Sequence, residues 1–170
     1  MKKVIIASYP GIGREQATGR LRSMAKSIDT ASFKYLTTIT GDRVNHPEWV
    51  IHPEWPDNIV KCIKALAYET EGIYDYRDLM YIFIDINKDI LDRLIDDKVP
   101  FIMAVPASDS KKRFIELLYG KDVLDSVDKI ASEYSDGDGF SLQYIDDLSE
   151  ETDSLSFYER CLITLYGSAD

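Results

Sequence analysis

Short apolar runs alternate with amphipathic stretches along most of the chain. Residues 3–8 form a compact run containing Val4-Ile5-Ile6-Ala7, which predicts a buried strand. Residues 14–27 then place Ala17, Leu21, Met24 and Ala25 on one helical face. From 28 to 55 the periodicity weakens and predicts a loop, with one extended segment at 33–40 where β-branched and aromatic residues concentrate. Pro56-Asp57-Asn58 opens a helix with Asp57 or Asn58 as its cap and Ile59, Cys62, Ile63, Leu66 and Ala67 as its inner stripe. Residues 79–86 read as a strand and 88–97 as a helix with Ile90, Leu91, Leu94 and Ile95 inward; 100–105 form another strand, closed by Pro106. Beyond it lie helices at 110–119, 123–134 and 155–165 and a turn at 135–139. Strand and helix patterns taking turns in this way predict an α/β fold with a largely parallel sheet and helices on both faces.

A length of 170 residues with 45% hydrophobic content suits one domain around one core. The net charge of -10 argues against non-specific affinity for nucleic acid or anionic membrane, so any phosphate-bearing partner must be gripped locally. No apolar run reaches the roughly 20 residues that span a bilayer. The first run is too short for a signal-peptide core and breaks at Ser8-Tyr9-Pro10, so the expectation is a cytoplasmic chain. Cys62 and Cys161 lack metal or redox spacing and read as buried free thiols. His46-Pro47-Glu48-Trp49 echoes in His52-Pro53-Glu54-Trp55, one repeat too short to define an architecture, and neither histidine has an evident catalytic partner. Asp136 and Asp138 lack the distant Glu of a calcium loop and read as a solvated turn, and the acidic run from Asp146 to Asp153 reads as soluble surface.

The chemistry concentrates in Ser8-Tyr9-Pro10-Gly11-Ile12-Gly13-Arg14-Glu15, between the first strand and the first helix. A phosphate-binding loop of form G-x-x-x-x-G-K-[ST] belongs there, because glycines let backbone N–H groups curl around phosphate oxygens at a helix N-terminus. Gly11 and Gly13 supply the curl, and Pro10, Ile12, Arg14 and Glu15 complete the candidate cofactor-binding segment. Three positions depart from the pattern: Ser8 replaces Gly, Arg14 replaces Lys, and Glu15 replaces the Ser or Thr that holds magnesium. Arg14 keeps the positive charge and is the candidate catalytic residue. A Glu15 carboxylate about 4 Å from a phosphate oxygen is repelled by about 4 kcal/mol at an effective dielectric near 20. Two roles stay open for Glu15, spoiler of the anion site or direct ligand of magnesium, and an acid in a first helical turn also complements the helix dipole. Asp85, at the end of its strand, is the second candidate metal ligand.

With these residues in view, the chain resembles the small phage-encoded P-loop proteins related to deoxynucleoside monophosphate kinases. Tyr-Pro-Gly-Ile-Gly at 9–13 is similar to their Phe-Pro-Gly-Ile-Gly-Lys-Ser, and Asp29-Thr30-Ala31-Ser32-Phe33 to their Asp-Ser-Ser-x-Phe. Pro53-Glu54-Trp55-Pro56-Asp57-Asn58-Ile59 resembles their Asn-Pro-Asp-Phe-Pro-Asn-Asn-Tyr-Ile, and the strand-helix-strand from Tyr81 through Pro106 is similar to the segment before their lid. The resemblance implies a three-layer P-loop fold in a bacterial host's cytoplasm. It also implies ATP with Mg2+ on residues 10–15 and an acceptor monophosphate near Asp29, Ser32, Phe33 and Asn58. Such kinases bring lid arginines to the transferring group; here 112–121 has leucines where at least one of those arginines is expected.

Three readings follow from these residues. In the first, the loop is degenerate, phosphotransfer is weak or absent, and the protein acts by binding a nucleotide or a protein partner. In the second it is an active nucleoside monophosphate kinase using Arg14 and Glu15 in place of Lys and Ser/Thr. In the third the acidic surface occupies a basic partner.

Overall fold

A computed structural model describes residues 2–36, 50–135 and 139–169. Its elements in chain order are β1 (Val4–Ser8), α1 (Arg14–Leu21), β2 (Ala25–Ser27), α2 (Thr30–Lys34), α3 (Asp57–Tyr68), β3 (Tyr81–Asp85) and α4 (Lys88–Asp96). They continue with β4 (Phe101–Val105), α5 (Asp109–Tyr119), α6 (Lys121–Ser132), β5 (Phe140–Tyr144), α7 (Leu148–Glu151) and α8 (Leu155–Tyr166). The strands form one sheet in the order β2-β3-β1-β4-β5, with every pairing parallel. The fold is α/β.

The continuous apolar runs explain which strands lie in the middle. All five residues of β1 and of β4 are buried, as expected of strands covered on both faces. Tyr81 stacks on Phe83 and meets Phe157 and Tyr158 of α8, so α8 covers one face of the sheet. Phe101 and Phe140 stack at 5.1 Å with Tyr134 edge-on, and the Tyr134 hydroxyl reaches Asp92 of α4 on the other face. Helices therefore pack on both sides. Side-chain caps hold several helix starts: Asn87 accepts from Ile90 N–H, and Ser108 from Lys111 N–H.

Topology also positions a crevice. From β1 the chain leads outward to β2 at one edge, whereas from β3 it crosses β1 to β4 and continues to β5 at the other edge. The loops leaving the carboxyl ends of β1 and β4 thus diverge, and in open parallel sheets that divergence is where ligands bind.

The structure departs from the sequence pattern in six places. The helix expected at 14–27 ends at Leu21: Arg22 takes φ +53°, a 3-10 turn follows, and Ala25–Ser27 pairs with β3 as a short edge strand. Within the loop expected at 28–55, Asp29 caps the short helix α2, so Phe33 and Lys34 are helical rather than extended. Tyr35 then bridges Ile51 in antiparallel fashion. The N-cap position of α3 is Pro56 rather than Asp57 or Asn58, but the Asn58 side chain accepts from the first-turn Ile59 N–H at 2.8 Å and donates to the Phe33 carbonyl at 2.7 Å, tying α3 to α2. In the last quarter, Phe140–Tyr144 is an edge strand that the pattern did not predict. The acidic run after it is structural as well as solvated, since Asp146 accepts two backbone N–H groups and Asp147 caps α7. Cys161 is buried, but Cys62 only half so. Residues 37–40 of the expected extended segment, the first His-Pro-Glu-Trp copy and Asp136-Gly137-Asp138 lie outside the described residues. Among the described residues no helix is long and apolar enough to cross a membrane.

Candidate functional site

A cavity of about 560 Å³ opens at the carboxyl ends of β1 and β3, between the loop after β1, α5 and the start of α7. Its floor is the loop at 9–13, which folds into the left-handed region at Gly11 (φ +78°) and Gly13 (φ +91°). Gly13 is the N-cap of α1 and makes no side-chain cap; the helix's own bonding begins with Ala17 N–H to the Gly13 carbonyl at 2.9 Å. The amides of the first turn have no acceptor within the helix.

Both glycines are needed for a second reason, which is crowding. A Cβ at Gly13 would stand 2.4 Å from Asp147 Oδ1, and one at Gly11 would stand 3.1 Å from Ile115 and 3.2 Å from the Tyr119 ring. Two further contacts hold the loop from either side: Leu148 N–H donates to the Ile12 carbonyl at 2.6 Å, and Tyr9 O–H donates to Asp128 of α6 at 2.6 Å. Burial, reinforced by the Asp128 carboxylate, pushes the Tyr9 phenol far above its ordinary pKa, so it remains a donor.

Arg14 is held by the end of β3 and the segment after β2. Its Nη1 meets Asp85 Oδ1 at 2.5 Å, its Nε donates to Ser27 Oγ at 2.8 Å, and its Nη2 donates to the carbonyls of Ile28 and Phe83. The guanidinium side chain is only 15% exposed. The second oxygen of Asp85 accepts from Thr30 Oγ1 at 2.6 Å. This one carboxylate therefore joins α1, α2 and the end of β3, and a magnesium ion there would have to compete with a guanidinium already seated. Glu15 is exposed at the cavity rim. Among the described residues no group of three His, Cys, Asp or Glu side chains converges as a metal site requires.

Of the candidates named from the sequence, Pro10, Gly11, Gly13, Arg14, Glu15, Asp29 and Asp85 share this cavity. Ile12 is fully buried beneath it. Ser32, Phe33 and Asn58 do not line it. Ser32 donates to Asp29 Oδ2 at 2.5 Å, and Asn58 borders a separate hollow of about 390 Å³ with Lys64, Arg93 and Asp97. The cavity also takes in residues given no site role from the sequence, chiefly Tyr9, Lys111, Phe114, Tyr119 and Asp147. Lys111 and Asp147 stand next to helix starts, where a charged side chain near a strand-to-helix loop was the available signal. The charges that result are four carboxylates, Glu15, Asp29, Asp85 and Asp147, against the two cations Arg14 and Lys111.

Compared with known protein families, curated proteins and solved structures, the chain matches none of them.

Proposed function

We propose that this chain is a P-loop nucleotide-kinase-like protein, akin to the phage deoxynucleoside monophosphate kinases. Its phosphate loop is degenerate, phosphotransfer is weak or absent, and it acts by binding a nucleotide weakly or by binding a partner. The observation that carries this reading is the Arg14–Asp85 pair at 2.5 Å. It takes the cation that should meet the β- and γ-phosphates and pairs it with the carboxylate that should meet the metal. Asp147 beside Gly13 and Glu15 at the rim add negative charge where a polyphosphate would lie. Leucines on α5 stand where lid arginines would complete the charge neutralisation.

The alternative is an active nucleoside monophosphate kinase with Glu15 on magnesium. What favours it is the pair of left-handed glycines at the start of α1, with Asp29 in the same cavity.

One set of measurements separates them. Thermal shift with ATP, deoxynucleoside monophosphates and magnesium should give little stabilisation of the wild type, and a coupled ADP-release assay should give little turnover. The double variant Arg14→Lys with Glu15→Ser should gain triphosphate affinity of about a hundredfold from the charge change. Ordinary kinase turnover by the wild type, unimproved by the double variant, overturns the degenerate-loop reading.

A further inference from the structure

On α5, Phe114, Leu117 and Leu118 share one face at i, i+3 and i+4, and Tyr119 closes the helix. Phe114 is 45% exposed, Leu117 85%, Leu118 59% and Tyr119 46%. Single exposed leucines are ordinary, but a contiguous apolar strip on one helix marks a surface meant to be covered. Phe114, Leu118 and Tyr119 also line the cavity after β1, so the strip runs directly into the acidic hollow.

The electrostatics of that hollow select the kind of cover. Arg14 is neutralised by Asp85, and Lys111 lies over the Phe114 ring at 4.7 Å. The carboxylates of Glu15, Asp29 and Asp147 outnumber what Lys111 balances. A second copy of this chain is a poor cover, because each copy carries a net charge of -10 and would bring its own acidic hollow.

We propose that the strip and the hollow together dock an amphipathic, basic helical segment of another protein, laying apolar side chains on α5 and a lysine or arginine among the carboxylates. This rests on the reading of the cavity as a binding rather than a catalytic site, since it names the partner that such a site would take. The apolar contact supplies the affinity and the cation fixes the register.

The test uses a fluorescently labelled synthetic helix of leucine and lysine, and a matched helix of leucine and glutamate, titrated with the whole chain by anisotropy. The lysine helix should bind and the glutamate helix should not. Leu117→Glu, at a position exposed enough to leave folding intact, should weaken binding about tenfold or more, equivalent to about 1.4 kcal/mol. Glu15→Gln should weaken it severalfold and flatten its salt dependence. Tyr74→Glu adds the same charge at an exposed aromatic before β3, at the opposite end of the sheet, and should leave binding unchanged. The proposal fails if both helices bind alike, or if Leu117→Glu and Tyr74→Glu have equal effects. It fails equally if sedimentation shows a homodimer that Leu117→Glu disperses. Phosphotransfer by the wild type with helix binding intact would sink the non-catalytic reading and leave the surface standing, whereas absent phosphotransfer with absent binding sinks only the surface.

Discussion

Gly13 and Gly19 lie six positions apart and answer differently to the same substitution. Gly13→Ala puts a Cβ 2.4 Å from Asp147 Oδ1 at φ +91°, so it should cost about 1–3 kcal/mol in urea melts. Gly19 sits inside α1 with open space around it, and Gly19→Ala should stabilise by about 0.5–1 kcal/mol through helix propensity and chain entropy. Asp146 provides the pH-sensitive counterpart. Burial acts to raise its pKa, but hydrogen bonds from Ser108 and Ala107 outweigh that and hold the carboxyl below its ordinary value. With the folded pKa the lower one, its stabilisation is complete above the ordinary carboxylate pKa of about 3.9 and is lost as pH falls through the folded value. Wild type and Asp146→Asn should therefore differ in chemical denaturation at neutral pH and converge in acid.

The helices α5 and α6 are fastened to the loop after β1 by a small number of contacts: Tyr9 to Asp128, and Ile115 and Tyr119 against Gly11. Tyr9→Phe removes the first and leaves the ring's packing, so it should lower global stability by about 1 kcal/mol. Hydrogen exchange should quicken in α6 more than in α4; equal change in both would mean the contact does not fasten this unit. The same elements mark how far the sequence could be read. β1, β3, β4, α3 and α4 were legible because each buries a continuous run or a clean stripe. β2 was not, because its three residues Ala25-Lys26-Ser27 extend the apolar spacing of α1 and become a strand only by pairing with β3. β5 does alternate, with Phe140, Leu142 and Tyr144 on one side, but Ser141 and Gln143 break any continuous apolar run, and an acidic run follows it directly. The site divides in the same way. The loop at 10–15 announced itself through glycine spacing and its position after a strand. Arg14's turn toward Asp85 depends on where β3 ends relative to β1, and Asp147's approach to Gly13 depends on α7, so neither is a local property of sequence.

At the scale of the whole molecule, charge is the dominant unbalanced feature. Thirty acidic residues face twenty basic ones, and part of the surplus gathers around the cavity rather than spreading evenly. The folded chain holds these carboxylates closer together than an expanded chain does, so self-repulsion opposes folding, and salt should relieve it within a Debye length of about 10 Å at 0.1 M. The ion pairs that salt would weaken are mostly exposed, such as Lys88 with Glu133 and Arg20 with Asp153, and exposed pairs contribute little. Screening of repulsion should therefore win. Melting temperature at neutral pH should rise with sodium chloride by roughly 2–4 °C for each kcal/mol of repulsion relieved. If repulsion is concentrated at the cavity, Glu15→Gln should raise the melting temperature at low salt and lose that advantage at high salt, while Glu159→Gln, at an exposed position of α8 outside the cavity lining, should do less. A melting temperature that falls with salt, or an equal response at both sites, would mean that attractive pairs dominate and that the cavity's charge is not the concentrated liability which a basic partner would relieve.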